Sequence, residues 1–324
     1  MKEPILIEME RKSDVLKKVR FGCLTGLPVL NFTSGCLHSC VYCYAKGYPS
    51  APPEGQVFFW SNTRRLLEKK LLRSKPPFVV LNTASDSFQP HPKVLNMAYE
   101  CMEILIKHKI PFSFLTKGFI PQEFYDLFKR APPLIYVHIG LTTLHDGKRL
   151  LFEPFSAPVE KRIKNMENLV EIGIIPSVRM DPIIPLHTDS EENFYALFRK
   201  ISEIGVKEVS VSGLHIRNGI KPFLIKRLGR IRWRRIEEHF EKNFITLCGG
   251  TRARLIKKEF LEHIYKTAIE AGRVYGIDVK ICGCKNPDFH YEICPSGRFL
   301  LKHPFQLKLF SHDLQPNYIH PRNI

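Results

Sequence analysis

The chain has 324 residues, with 49 Lys and Arg against 32 Asp and Glu, a formal net charge of +17. That length buries a substantial core as one large domain or two ordinary ones, and the 44% hydrophobic content suits a globular protein. No apolar run reaches the ~20 residues of a membrane helix. The N-terminal MKEPILIEMERKSD is charged and has no signal-peptide core, so a cytoplasmic protein with no membrane partner is expected. Nine cysteines in that setting point to reduced thiols and metal centres rather than a disulfide framework. The cationic excess draws polyanions and favours a nucleic acid or phosphorylated substrate.

Taken in order, Pro28 to Thr33 (PVLNFT) reads as a short strand, with Cys23 upstream as a small buried residue. The strand runs into Gly35–Ala45, GCLHSCVYCYA, which places Cys36, Cys40 and Cys43 as C-x3-C-x2-C with Tyr42 and Tyr44 on either side of the third. Three thiols in so short a run can bend around one small inorganic centre. An odd number separated by tiny loops does not pair off as disulfides. Structural zinc wants a fourth ligand, for which His38 is at hand. An iron–sulfur cluster normally takes four thiolates, so three leave one iron to an outside molecule.

After this loop, strand and helix patterns alternate. Thr63–Arg73 has helical spacing behind Ser61 or Asn62 as N-cap, and Phe78–Asn82 reads as a buried strand. Lys93–Lys107 is an amphipathic helix whose core face carries Val94, Ala98, Cys101 and Leu105. Strands follow at Phe112–Leu115, Leu134–Leu141, Ile175–Met180 and Lys207–Val211. The helices between them are Gln122–Arg130, Val159–Ile172 (Pro158 near its start, Gly173 as its stop) and Ser190–Ile204, capped by Asp189 and Ser190. Strand and helix recurring about every 30 residues implies right-handed βαβ units and a parallel sheet. Six strands in a span well short of ~250 residues suit a partial (β/α)6 barrel, with its site at the C-terminal strand ends. The expected division is an N-terminal segment 1–20, a barrel 21–212 and a C-terminal extension 213–324.

Beyond Ser212 the rhythm breaks. Arg217–Arg235 holds eight basic residues and no acidic one, interleaved with Phe223, Ile225, Leu228, Ile231 and Trp233. It reads as a nucleic-acid surface with Trp233 or Phe223 as a stacking platform, or as a helix–turn–helix piece facing the barrel. Thr251–Tyr275 reads as one long helix and Ile277–Ile281 as a last strand. Cys248, Cys282, Cys284 and Cys294 offer a second metal site, either an auxiliary iron–sulfur cluster or zinc. One of these thiols serving as a hydrogen donor or substrate-binding group is the third reading.

The motifs SGCLHSCVYCYAKGYPS, LNTASDSFQP, FLTKG, GLTTLHDGKRLLFEPFSAPVEKRI and VRMDPIIP resemble the radical S-adenosylmethionine (SAM) superfamily, and within it the spore photoproduct lyase-like branch. The resemblance covers about the stretch from Phe21 to Ser212 and implies a partial barrel of this type, an enzyme, a [4Fe-4S] cluster and SAM. It implies that Cys36, Cys40 and Cys43 hold the cluster. It also implies that Ser85 and Lys117 contact the SAM carboxylate, and that Asp86, Gln89 and Arg179, with Asp181, belong to the same pocket mouth. Tyr42 and Tyr44 match the branch's radical-relaying tyrosine pair. Two positions depart from the pattern: Thr83 stands where the lyases carry a hydrogen-donating cysteine, and Pro92 where an acidic residue is usual. The expectation is therefore an enzyme fed by an external one-electron reductant and acting on DNA or RNA. The rivals are one modifying a small metabolite or peptide, and a zinc-stabilised nucleic-acid-binding protein.

Overall fold

A computed structural model describes residues 2–19, 22–247 and 250–289. Its main sheet holds seven parallel strands: β1 (Pro28–Leu30), β2 (Val79–Leu81), β3 (Phe112–Thr116), β4 (Ile135–Gly140), β5 (Ser177–Ile183), β6 (Glu208–Gly213) and β7 (Asp278–Ile281). They lie across the sheet in chain order, and Lys17–Lys18 adds an antiparallel edge beside β1. Parallel neighbours need crossovers, and helices supply them. These are α1 (Thr63–Arg73), α2 (Pro92–Lys107), α3 (Gln122–Phe128), α4 (Asp146–Phe152), α5 (Val159–Glu171) and α6 (Glu191–Ile204). The six expected strands are all present, with small shifts at their ends. The seventh pairs with β6, Glu208 opposite Asp278 and Val211 opposite Ile281, so the sheet draws on both sides of position 212.

Burial explains the pattern. All three residues of β2 are buried, as a strand covered on both faces requires. On α2, Val94, Ala98, Cys101 and Leu105 are fully buried; sequestering a side chain of Val or Leu size is worth about 1.5–3 kcal/mol. Phe88, Phe114 and Phe124 meet at 4.9–5.2 Å between ring centres where α2 and α3 close on the sheet. Ser190 caps α6 through the Asn193 N–H. Asn62 precedes α1 but does not cap it: its amide instead bridges the backbone N–H and carbonyl of Arg11, at 2.9 and 3.0 Å.

Two smaller sheets flank the strand ends. Ile5–Met9, Gln56–Trp60 and Thr33–Ser34 form one, placed directly before the cysteine loop. Ile216–Arg217, Thr251–Arg254 and Ile245–Leu247 form the other, antiparallel throughout. The long helix expected from Thr251 therefore begins later. Thr251–Arg254 alternates, turning Ala253 inward, and is taken up by its strand partners. The helical run proper follows Lys257. The basic run forms α7 (Lys221–Leu228) and α8 (Arg230–Glu237), and the long helix is α9 (Lys258–Val274). Gly229 joins α7 to α8 at φ +79°, in the left-handed region that favours glycine. Among the described residues, no helix is long and apolar enough to cross a membrane.

Candidate active site

The three-cysteine loop leaves β1 and folds over the C-terminal ends of the strands. Gly35 opens it at φ +81°, where a Cβ would lie 3.2–3.3 Å from Pro52 Cγ and the Gln56 carbonyl oxygen. Two tight turns follow: the Ser39 N–H donates to the Cys36 carbonyl at 3.1 Å, and the Cys43 N–H to the Cys40 carbonyl at 3.2 Å. The loop is tied down from outside by Leu37 N–H donating to Gln89 Oε1 (2.7 Å) and Val41 N–H to the Phe152 carbonyl (2.9 Å). Cys36, Cys40 and Cys43 all line one cavity of about 560 Å³. Burial, with Asp86 and Cys40 adding to it, pushes the Cys36 thiol well up. Burial and then Glu153 push Cys40 to about 12, Cys43 adding to the rise while Lys117 opposes it. The thiols stand close enough for each thiolate to disfavour the next.

The loop after β2 makes the adjoining wall. Asp86 is 5% exposed and accepts from Phe88 N–H, Thr116 Oγ1 and Lys117 N–H, each at 2.8 Å, with His38 Nδ1 at 3.4 Å. Burial alone would raise this carboxyl, but His38 and the donors hold it below the ordinary range. Asp86 lines the cavity as its frame. Gln89 stands behind the wall, its amide N–H groups given to Thr33, Ser85 and the Asp86 carbonyl at 2.8–3.1 Å. Ser85 reaches the cavity, its hydroxyl hydrogen-bonded to Thr33. Lys117 crosses the end of β4 over Gly140: a Cβ there would lie 2.7 Å from its Cγ and 3.0 Å from its Nζ. The ammonium thus enters the cavity 3.4 Å from the Asp181 carbonyl and 5.8 Å from the centre of the Tyr42 ring.

Tyr42 and Tyr44 both line the cavity, and each gives its phenol to a partner, Tyr42 to Glu153 and Tyr44 to the Thr83 carbonyl. Burial and Glu153 raise the Tyr42 phenol far above its usual value, and burial raises Tyr44. Glu153 is the residue that sequence reasoning missed. It is 2% exposed and ion-paired with Arg162, itself 1% exposed. Arg162 also donates to the carbonyls of Ala157 (3.0 Å) and Gly140 (2.8 Å), and Arg149 donates to the carbonyls of Glu153 (2.9 Å) and Ser156 (3.0 Å). The signal lay in FEPFSAPVEKR, where Glu153 stands among Phe152, Pro154 and Phe155, nine residues before Arg162. His38 keeps one contact, to Asp86 through Nδ1; its Nε2 has no protein partner among the described residues.

Across the cavity, Arg179 pairs with Asp181 at 2.8 Å and Asp181 also pairs with Lys285. Burial opposes ionisation of Asp181, but Lys285 and Arg179 hold its carboxyl well below the carboxylate range. Cys282 and Cys284 line the same cavity as the three loop cysteines. They are hydrogen-bonded to each other, which together with burial drives the Cys282 thiol well up. Cys248 and Cys294 lie outside the described residues. At the rim, Arg217 sits 5.5 and 5.1 Å from the Tyr44 and Tyr48 ring centres, and Lys46 lies 4.5 Å over Phe223. Trp233, one of the two expected platforms, is 2% exposed and donates its indole N–H to Glu237 at 2.8 Å. It is a core residue of α8, since its helical spacing turns it inward while Arg232, Arg234 and Arg235 face out.

A three-thiol loop at the C-terminal ends of a parallel, helix-covered sheet is shared by a large group of enzymes. The Radical SAM superfamily profile matches residues 30–201, and the chain belongs to that superfamily. It is 30% identical over 169 residues to the uncharacterized protein MJ0683 of Methanocaldococcus jannaschii, covering 50% of this chain and 62% of that one. It is 22% identical over 204 residues to the uncharacterized protein ORF301 of Acidianus two-tailed virus, covering 58% and 67%. The chain thus spans roughly two thirds of the length of these relatives. Among solved structures, a variant of spore photoproduct lyase with bound AdoMet and dinucleoside spore photoproduct shares the fold. Its TM-score is 0.65 at 14% identity, over 85% of this chain and 81% of that one.

Proposed function

We infer that this chain binds a [4Fe-4S] cluster through Cys36, Cys40 and Cys43, binds SAM beside it, and acts on a nucleic acid. The observation that carries the reading is the cavity itself, which brings the three thiols, Ser85, Lys117 and Arg179 onto one surface. The donor set fits the group. Three thiols spread along a loop suit a cluster that takes each thiolate on a separate iron, and among the described residues no three Cys, His, Asp or Glu side chains gather as a site for a single ion. When bound and supplied with an electron by an external one-electron reductant, cluster and SAM provide a 5′-deoxyadenosyl radical. The protein's part is to bind, orient and exclude.

Lys117, steered by Gly140, presents a cation for the SAM carboxylate, with Ser85 beside it as a hydroxyl partner. A contact of this kind at 4 Å is worth up to about 4 kcal/mol at moderate effective dielectric, before desolvation. Asp86, with all its acceptor sites used, fixes the backbone of Lys117 and the ring of His38. Tyr42 and Tyr44 close the floor beside the thiols. For the substrate, the rim offers Arg217, Lys46 and Phe223, cations interleaved with aromatic faces, on which phosphates and bases of a single strand can lie. A rival substrate class is a small metabolite or peptide. Anaerobic reconstitution with iron and sulfide, then assay of 5′-deoxyadenosine with and without DNA or RNA, tests the reading. Nucleic acid is expected to stimulate release, and zinc in place of iron in anaerobically purified protein overturns the enzymatic reading.

A further inference from the structure

The segment after β7 is built into the active-site cavity. Cys282 N–H continues the pairing of β7 by donating to the Val211 carbonyl at 3.0 Å. Asn286 then clamps the turn, its Nδ2 donating to the Cys282 carbonyl at 2.7 Å while its Oδ1 accepts from Tyr265 at 2.6 Å. The Tyr265 oxygen in turn accepts the Gly213 N–H at 3.0 Å, so the end of β6 and the CGCKN turn form one unit. Lys285 is held twice, through its ammonium on Asp181 and its carbonyl on His215 Nε2 at 2.9 Å. On the other side the backbone at Gly22 presses against the turn: a Cβ there would lie 2.6 Å from Cys284 Sγ. Two thiols from the far end of the chain are thereby fixed in the wall of the cavity that holds Cys36, Cys40 and Cys43.

What such a pair supplies follows from bond strengths. An S–H bond is weaker than an aliphatic C–H bond, so a carbon radical takes its hydrogen downhill; an alcohol O–H is stronger, and transfer from it runs uphill. Of the phenols in the wall, the two beside the loop thiols are engaged, Tyr42 with Glu153 and Tyr44 with the Thr83 carbonyl. We propose that Cys284 is a hydrogen-atom donor to carbon radicals formed in this cavity and that Cys282, hydrogen-bonded behind it, is its positioning residue. This rests on the reading of the site given above. In the step, the Cys284 S–H bond breaks, a C–H bond forms on the radical carbon, and the unpaired electron moves to sulfur. One electron from a low-potential iron–sulfur or flavin donor and one proton from water restore the thiol. Cys284 is the more accessible of the two, whereas Cys282 is 3% exposed.

The test uses cluster-loaded, full-length protein with SAM and reductant in D2O, with no added substrate. Wild-type protein is expected to release 5′-deoxyadenosine carrying deuterium at C5′, taken from the exchanged thiol. C282S/C284S is expected to cleave SAM with at least tenfold less deuterium in the product and unchanged iron content. SAM is also expected to slow iodoacetamide labelling of Cys284, read by peptide mass spectrometry. If the double variant misfolds, C284S alone carries the test, since a small partly exposed side chain is exchanged for its oxygen counterpart. Unchanged deuterium in the variant overturns the proposal, and so does loss of iron or zinc on substitution, which makes the pair metal ligands. Wild-type protein that cleaves no SAM overturns the reading of the site and this proposal with it, whereas cleavage without transfer overturns the proposal alone.

Discussion

Lys117 reaches the cavity because Gly140 has no side chain. In Gly140→Ala the new methyl would stand 2.7 Å from the lysine stem, so the ammonium must swing away. SAM affinity of the cluster-loaded protein is expected to fall tenfold or more, by equilibrium dialysis, with iron content unchanged. Glu153→Gln leaves the Arg162 guanidinium buried without its counter-charge. The loss of stability is expected near 3 kcal/mol, the lower end for a broken buried pair because the amide still accepts a hydrogen bond, and denaturant titration measures it. Glu153, Asp86 and Asp181 are all held below the ordinary carboxylate range despite burial, by Arg162, His38 and Lys285 respectively among their partners. A folded-state value below the unfolded one gives stability that is full above ~4 and lost as the pH falls through the folded values. The melting temperature is therefore expected to drop in acid, and burial, which lowers His138 to about 3 and His215 to about 4, starts the decline as the pH falls through the ordinary imidazole range. Glu153→Gln should show a shallower drop.

At the scale of elements, what the sequence declares and what it conceals follow the reach of each interaction. The cysteine loop is legible because its chemistry is a local spacing, and the six strands because their apolar runs need no knowledge of partners. Thr251–Arg254 is misread as helix because its strand character comes from Ile245–Leu247 and Ile216–Arg217, themselves only three and two residues long. Asn62 looks like a cap and serves as a bridge to Arg11, fifty-one residues away. Gln89 looks like a pocket residue and serves as a brace. In each case the deciding partner lies far along the chain. The CGCKN turn after β7 rests on such a partner too, and Asn286→Ala is expected to cost about 1–3 kcal/mol. Hydrogen exchange should show that loss first at the amides of Cys282 and Lys285.

The charge of the whole molecule is unevenly used. Lys221 and Arg254 are paired with Glu237, Lys226 with Glu54, and Arg227 donates to the Leu150 and Leu151 carbonyls. Part of the basic run is thus internal scaffolding, which composition cannot distinguish from an interaction surface. Arg230, Arg232, Arg234 and Arg235 remain exposed on α8. Binding of single-stranded nucleic acid is expected to fall steeply with salt, log Kd rising by roughly 0.7 per phosphate contact for each tenfold increase in salt. Phe223→Ala should weaken it by about 1–3 kcal/mol, with a nearly unchanged salt slope. A flat salt dependence favours the small-molecule reading. The cavity joins Cys36, near the start of the chain, to Cys284, near the end of its described part. During synthesis the loop that would receive iron emerges long before the strand that completes its enclosure. A polypeptide halted ahead of Asp278 would keep every thiol of the first wall and face bulk water where the second belongs, leaving those thiols open to dissolved oxygen and other oxidants.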